Sequence, residues 1–255
     1  MDAFFEPLGD GRYRSTELTR GPWDPDSQHA GPSTALLGGL LEETLGAPLA
    51  RLTSEILRPV PITELTVEVE VLRPGRRVQL GQGTVSDDEG PLLLARAWAL
   101  RTDEFELPEH VRPEPAGLPP PDECETAPFF VDWTGYHDAM EVRFVAGSFL
   151  DPGPATAWMR ARVPIVEGQE ISPLERVIVA ADSGNGLSAA LDFRQWLFIN
   201  TDLTVHLHRQ PSGEWVCLDT RTVAEPHGVG LATSDISDQQ GPLGHGLQTL
   251  LVAPR

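Results

Sequence analysis

The chain reads as a duplicated α+β protein in which each copy lays one long helix against an antiparallel sheet. Three observations predict this: a repeat at constant offset, strands of alternating polarity, and one apolar helical run per half. The repeat comes first, because overlooking one misassigns a fold. Leu52-Thr53 recurs as Leu203-Thr204 and Arg58 as Arg209. Val78 and Leu80 recur as Val229 and Leu231, Ser86-Asp87 as Ser237-Asp238, and Gly90-Pro91-Leu92 as Gly241-Pro242-Leu243, ten identities all separated by 151 positions. One match would be noise; ten on a single ungapped diagonal imply duplication.

The first copy, residues 1–103, opens with an apolar piece at Phe4-Phe5 and a hairpin through Arg12 to Leu18. Pro and Asp make Gly21 to Asp26 a loop. A helix runs from Gly31-Pro32-Ser33 through Leu36, Leu40 and Leu45 and stops at Gly46. Strands follow near Leu52–Leu57, Leu65–Leu72, Val78–Val85 and Leu92–Leu100, and Leu65 to Val71 alternates cleanly enough to be half-buried. Residues 104–130 are rich in Pro and Glu and read as an extended linker. The second copy, 131–255, repeats the plan: strands near Met140–Val145 and Ala157–Val163, a helix from Pro173 to about Leu191, then strands near Phe198–Leu207, Trp215–Val223, Val229–Ile236 and Leu243–Val252.

Composition narrows the partners. A net charge of −19 repels nucleic acid and anionic membrane. It repels anionic ligands too, so a phosphate-bearing substrate would need a local basic patch. No run of 18 or more apolar residues occurs, so no membrane span is expected. The start, Met1-Asp2-Ala3-Phe4-Phe5-Glu6, lacks the basic flank of a signal peptide. Two distant cysteines, Cys124 and Cys217, argue against a disulfide scaffold and for a cytoplasmic location.

The chemistry centres on Asp182. Leu174, Val177, Ile178 and Ala181 recur at helical spacing, and Asp182 follows on that face, where a carboxylate needs partners. Two readings stand at this point: a buried functional carboxylate, or a cap where the helix breaks at Gly184 and Gly186. The repeat aligns Asp182 with Gly31 and Gln248 with Ala97, so only the second copy carries these polar groups. Backbone N–H groups near Gly31 or Gly184 are candidate oxyanion donors, because helix ends present unpaired amides. His206 and His208 share a strand face, yet no Cys, His or carboxylate accompanies them at metal spacing, so no metal is expected. Ser183 lacks the setting of a nucleophile elbow.

The order strand, strand, long helix, four strands, made twice, resembles the tandem (double) hot-dog fold of the type II acyl-CoA thioesterases over nearly the whole chain. The residues carrying the resemblance are Gln28-His29-Ala30-Gly31-Pro32, Val179-Ala180-Ala181-Asp182, Phe198 to Arg209, and Gln248. The resemblance implies hydrolysis of an acyl-CoA thioester by a water held by Asp182, by Asn200 or Thr201, and by Gln248. Gln28, His29, Gly31 and Gly184 would be substrate-binding or oxyanion residues. It implies no cofactor, and a homo-oligomer is expected. Two alternatives remain. Asp24 and His29 are spaced as in hot-dog enoyl-CoA hydratases, although Pro25-Asp26-Ser27-Gln28 lacks that motif's Asn-Pro. A non-catalytic module that holds an acyl chain or self-associates is the other.

Overall fold

Thr53 and Thr204, equivalent residues of the two copies, lie opposite each other at the middle of the sheet. The computed structural model describes residues 2–103, 105–111, 117–127, 129 and 131–255. In it, β3 (Leu49–Ile56) pairs antiparallel with β10 (Asp202–Leu207), Thr204 opposite Thr53, and the two hydroxyls are 3.3 Å apart. When equivalent residues face each other across an antiparallel pair, a local two-fold axis passes between them. Outward from β3 run β6 (Gly90–Leu100), β5 (Val78–Asp87), β4 (Glu64–Arg73), β2 (Arg12–Ser15) and β1 (Phe5–Gly9). Outward from β10 run β13 (Gly241–Pro254), β12 (Val229–Asp238), β11 (Val216–Ala224), β8 (Asp151–Ala161) and β7 (Met140–Ser148). The two halves mirror each other strand for strand, in one sheet of 13 strands with β9 (Trp196–Asn200) paired to the far end of β13.

Two helices cover one face and touch each other. In α1 (Ala30–Leu45), His29 is the N-cap and Gly46, at φ +61°, ends the helix in the left-handed conformation that suits glycine. Leu37, Leu41 and Leu45 bury against the sheet at Gly81 and Gly83, and Leu36 is buried too. In α3 (Pro173–Ala181), Ser172 and Glu175 form a reciprocal capping box, with bonds of 3.1 and 2.7 Å, and Pro173 takes the first turn, where a missing N–H costs nothing. Residues from both halves form one hydrophobic cluster.

The structure corrects three expectations. The second helix does not run to Leu191: it stops at Ala181, and α4 (Gly184–Leu187) follows after Asp182 and Ser183. The Ser183 amide bonds to the Ala180 carbonyl at 2.9 Å, a tightened three-residue turn at the foot of the helix. The strand expected over Phe198–Leu207 is two pieces, because register against β13 slips by one residue at Thr201. Finally, a short helix, α2 (Tyr136–Ala139), follows the linker. The linker runs along the second half: Pro119 accepts from Trp158 Nε1 and Pro121 from Arg143, while Glu125 accepts from the Phe144 amide. Its residues 104, 112–116, 128 and 130 lie outside the described ones. Among the described residues no helix is long and apolar enough to cross a membrane.

The repeated Arg and Asp explain themselves. Arg58 bonds Asp87 and the carbonyls of Gly90 and Pro91; Arg209 bonds Asp238 and the carbonyls of Gly241 and Pro242. Each pair ties the chain after a central strand to the turn between the last two strands of its half. The Asp238 side chain is 1% exposed and that of Asp87 12%. Burial alone would raise the Asp238 pKa, but the Arg209 bonds and backbone amides outweigh it and hold the carboxyl below its usual range. Its stabilisation is therefore complete above the unfolded Asp value and is lost as pH falls through the lower folded value. Asp238→Asn is expected to cost on the order of 3 kcal/mol, as when a buried pair loses one partner, and Asp87→Asn less. Urea midpoints from pH 7 down to pH 2 should show a flatter acid limb for Asp238→Asn; equal curves for wild type and variant would contradict this.

Candidate active site

Asp182 caps the C-terminal end of α3 with its side chain turned inward, 2% exposed. Its Oδ1 accepts from Asn200 Nδ2 at 2.8 Å and from Gln248 Nε2 at 3.3 Å. Its Oδ2 is 3.0 Å from His29 Nδ1. One carboxylate thus gathers donors from three other segments: the N-cap of α1, β9 and β13. Such satisfaction is what a buried carboxylate requires.

Gln248 is fixed at both ends. Its Nε2 also donates to the Asp182 carbonyl at 3.0 Å, and its Oε1 accepts from the Asn185 amide at 3.1 Å, so the two ends of the amide cannot be exchanged. Asn185 Nδ2 donates in turn to the Phe198 carbonyl at 2.9 Å. His29 Nδ1 meets Asp182 Oδ2 and, at 3.2 Å, the Gly31 amide. These contacts require opposite protonation of one atom, and the charge-assisted bond is the stronger. The Asp182 contact needs a proton on Nδ1, and the neutral tautomer that carries it there leaves Nε2 an acceptor. The His29 ring lies flat on Tyr136, centroids 3.9 Å apart at 7°. Tyr136 is held by its hydroxyl, which donates to the Val179 carbonyl at 2.7 Å and lies 2.9 Å from Ser183 Oγ. Burial pushes that phenol's pKa well above its ordinary value, so it stays neutral.

The bulge at Thr201 decides which neighbour reaches Asp182. Leu203, Val205 and Leu207 point inward, so unbroken alternation would turn Thr201 inward as well. The extra residue reverses this. Asn200 lies opposite the buried Leu250 and bonds Asp182, while Thr201 is exposed and bonds Asp202 and the Thr249 carbonyl. Thr201 is therefore not part of the cluster. The first half carries the same slip between Leu49 and Arg51.

The remaining expected residues divide. Gln28 is buried but spent, donating to the Pro61 carbonyl at 2.7 Å and accepting from Ser33 at 2.9 Å, so its side-chain hydrogen bonds go elsewhere than to the Asp182 cluster. Gly31 allows close approach: a Cβ there would lie 2.9 Å from the Val179 carbonyl oxygen and 3.3 Å from Asp182 Cβ. Gly184 does the same for Gln248, whose Oε1 would be 3.0 Å from an added Cβ. The amide that Gln248 takes belongs to Asn185, one residue beyond Gly184. Asp24 is exposed and accepts from the Asp26 amide and the Ser27 hydroxyl in its own loop, so the Asp24–His29 spacing does not become a pair. His206 and His208 are exposed, and among the described residues no three His, Cys, Asp or Glu are grouped to hold a metal ion.

A cavity of about 640 Å³ adjoins the cluster, and His29, Tyr136, Ser183 and Asn185 line it. Asp182, Asn200 and Gln248 stand behind that wall. Trp23, packed at 4.7 Å on both Phe193 and Phe198, forms another side. Tyr136 and Asn185 carry no motif; the usable signal for Tyr136 is that the chain has only two tyrosines and this one lies just past the linker.

The fold is that of a hot-dog protein. The chain matches the acyl-CoA thioesterase C-terminal domain over residues 121–252 and the acyl-CoA thioesterase N-terminal domain over residues 19–100. It belongs to the acyl-CoA thioesterase family. Among solved structures it is similar to a protein from Thermobifida fusca assigned as a thioesterase II (18% identity, TM-score 0.78, covering 98% of this chain and 95% of that one). It is also similar to one from Novosphingobium aromaticivorans assigned as a thioesterase (22%, TM-score 0.76, 98% and 99%). A third is a hot-dog protein of unknown function from Alicyclobacillus acidocaldarius (16%, TM-score 0.71, 98% and 95%). No curated protein matches.

Gly31→Ala tests the close approach. The added methyl must displace backbone at Val179, an overpacking cost of about 1–3 kcal/mol. A lowered thermal midpoint is expected, and an unchanged one would show that α1 and α3 can separate freely.

Proposed function

We propose that the cluster activates water against an acyl-CoA thioester bound in the adjoining cavity. The supporting observation is the Asp182–His29 contact, with Asp182 behind the wall and His29 on it. Water beside His29 gives its proton to Nε2; Asp182 stabilises the cation that forms, as a buried carboxylate does for an imidazole it orients. The hydroxide bonds to the thioester carbonyl carbon, the carbon–sulfur bond breaks, and the proton leaves with the thiolate. Asn200 and Gln248 keep the carboxylate in place, and the Tyr136 ring keeps the imidazole in plane.

The family resemblance alone would give Asp182 the water directly. The geometry favours His29 as the group that meets it, since Asp182 is sheltered and its oxygens already engage three side chains. A non-catalytic acyl-binding module would not need a carboxylate buried behind a histidine, a costly arrangement for packing alone.

Release of free thiol from a panel of acyl-CoAs tests the reading. Asp182→Asn and His29→Ala are each expected to lower kcat by at least about a hundredfold, the size of a lost general base. Asn200→Ala should lose less, and Thr201→Ala, at an exposed position, should stay within about twofold of wild type. Undiminished turnover in Asp182→Asn would remove that residue from the mechanism. No thiol release by wild type from any ester would favour the binding module.

A further inference from the structure

The next inference rests on the thioester reading and concerns what carries the acyl group. The chain has 19 cationic side chains, all arginine, against 38 carboxylates. Many are committed: Arg14, Arg58, Arg143, Arg160 and Arg209 each pair with Asp or Glu. Arg162 and Arg194 differ. Arg162 follows β8 and Arg194 precedes β9; both are exposed, both line the cavity that His29 lines, and neither guanidinium has a partner among the described residues.

The carboxylates on the same lining are engaged by their own turns. Asp138 accepts from the Gly135 amide at 3.0 Å, Asp151 from Ser148 Oγ at 2.9 Å, and Asp192 from the Arg194 amide and Gln195 Nε2 at 2.9 and 3.2 Å. The third lining arginine, Arg20, donates to the carbonyls of Pro25 and Thr134, both at 2.8 Å. Arg255 adds a further charge beside Arg194. Its amide bonds the Gln195 carbonyl, and its guanidinium lies over Phe193 at 4.6 Å and Trp23 at 5.6 Å, a stacking that leaves the in-plane N–H donors available. On a chain of net charge −19 this rim carries as many cations as carboxylates, plus Arg255.

We propose that Arg162 and Arg194, with Arg255 beside them, anchor the phosphate groups of the thioester's carrier at the rim of the cavity. Guanidinium forks suit phosphate oxygens, which they bind in pairs of hydrogen bonds. The anchor supplies uniform binding: it holds the ester equally before and during reaction, and so acts on KM and not on kcat.

The test gives one acyl group two carriers, CoA and phosphate-free pantetheine, and compares wild type with the double variant Arg162→Ala/Arg194→Ala. Arg221→Ala, on an exposed position of β11 outside the cavity lining, controls for the loss of bulk charge. The double variant is expected to raise KM for acyl-CoA at least about tenfold, the size of a lost charge-assisted contact, with kcat within about twofold. Its KM for the pantetheine ester should match that of wild type, and added salt should raise the wild-type KM for acyl-CoA more than the variant's. An unchanged KM for acyl-CoA, an equal loss on both esters, or the same effect from Arg221→Ala would overturn the anchor. An acyl-4′-phosphopantetheine ester separates the two sources of phosphate. Retained sensitivity to the arginines places the contact on the phosphate that CoA shares with carrier-bound pantetheine; lost sensitivity places it on the nucleotide phosphates. If wild type hydrolyses neither ester, the thioester reading fails by itself. Calorimetry with free CoA then decides the anchor: binding weakened in the double variant supports it, and no binding by wild type overturns it.

Discussion

The close approach of α1 and α3 at Gly31 is the constraint on which the site depends. Because Gly31 has no side chain, the foot of α3 comes within contact of the first turn of α1, and Asp182 lies beside the residue that the repeat aligns with it. The same approach puts His29, the N-cap of α1, within 3.0 Å of the Asp182 carboxylate. A bulkier residue at 31 would part the helices and the Asp–His contact together. Helix packing and the Asp–His contact here have one cause.

Duplication accounts for the asymmetry. A two-fold arrangement offers two equivalent sites, one on each side of the axis. In the occupied one stand Asp182, Asn200 and Gln248 from the second copy and His29 from the first. At the equivalent positions of the other stand Gly31, Leu49, Ala97 and Ala180, all buried and none with a polar side chain. Away from these positions the symmetry is kept, since the strand slip at Thr201 recurs beside Leu49 and the Arg–Asp ties recur in both halves. One half carries a polar cluster at these positions and the other carries packing residues. Of these two equivalent positions, one carries the cluster.

Periodicity and repeat made most of the fold legible. Strand alternation, the stop at Gly46 and the Pro173 start are local signals, and the structure follows them. The strand order across the sheet was not legible from local pattern, although the 151 offset already contained the axis once Thr53 was set opposite Thr204. For the site, the anomaly of a carboxylate on an apolar face pointed to Asp182, and the family resemblance pointed to Gln248. The choice between Asn200 and Thr201 was not accessible, because a bulge is an interruption of the very alternation used to assign faces. Tyr136 was hidden for a different reason: its role is to stack on His29 and to bond a carbonyl of α3, and neither contact leaves a spacing to read.

The buried polar cluster is poorly explained as a device for stability. Removing a carboxylate, an amide pair and an imidazole from water costs several kcal/mol before their mutual bonds return any of it, and apolar residues of similar volume usually serve a core as well or better. The first copy demonstrates the cheaper solution on the same backbone, with glycine, leucine and alanine at the matching positions. What the second copy gains is a carboxylate whose orientation is fixed by donors from separate segments and whose free influence is directed at one imidazole on a cavity wall. Preorganisation of that kind lowers the barrier to proton transfer because nothing has to reorient when charge develops. On the proposed mechanism, the cost to folding and the benefit to reaction are two aspects of the same geometry.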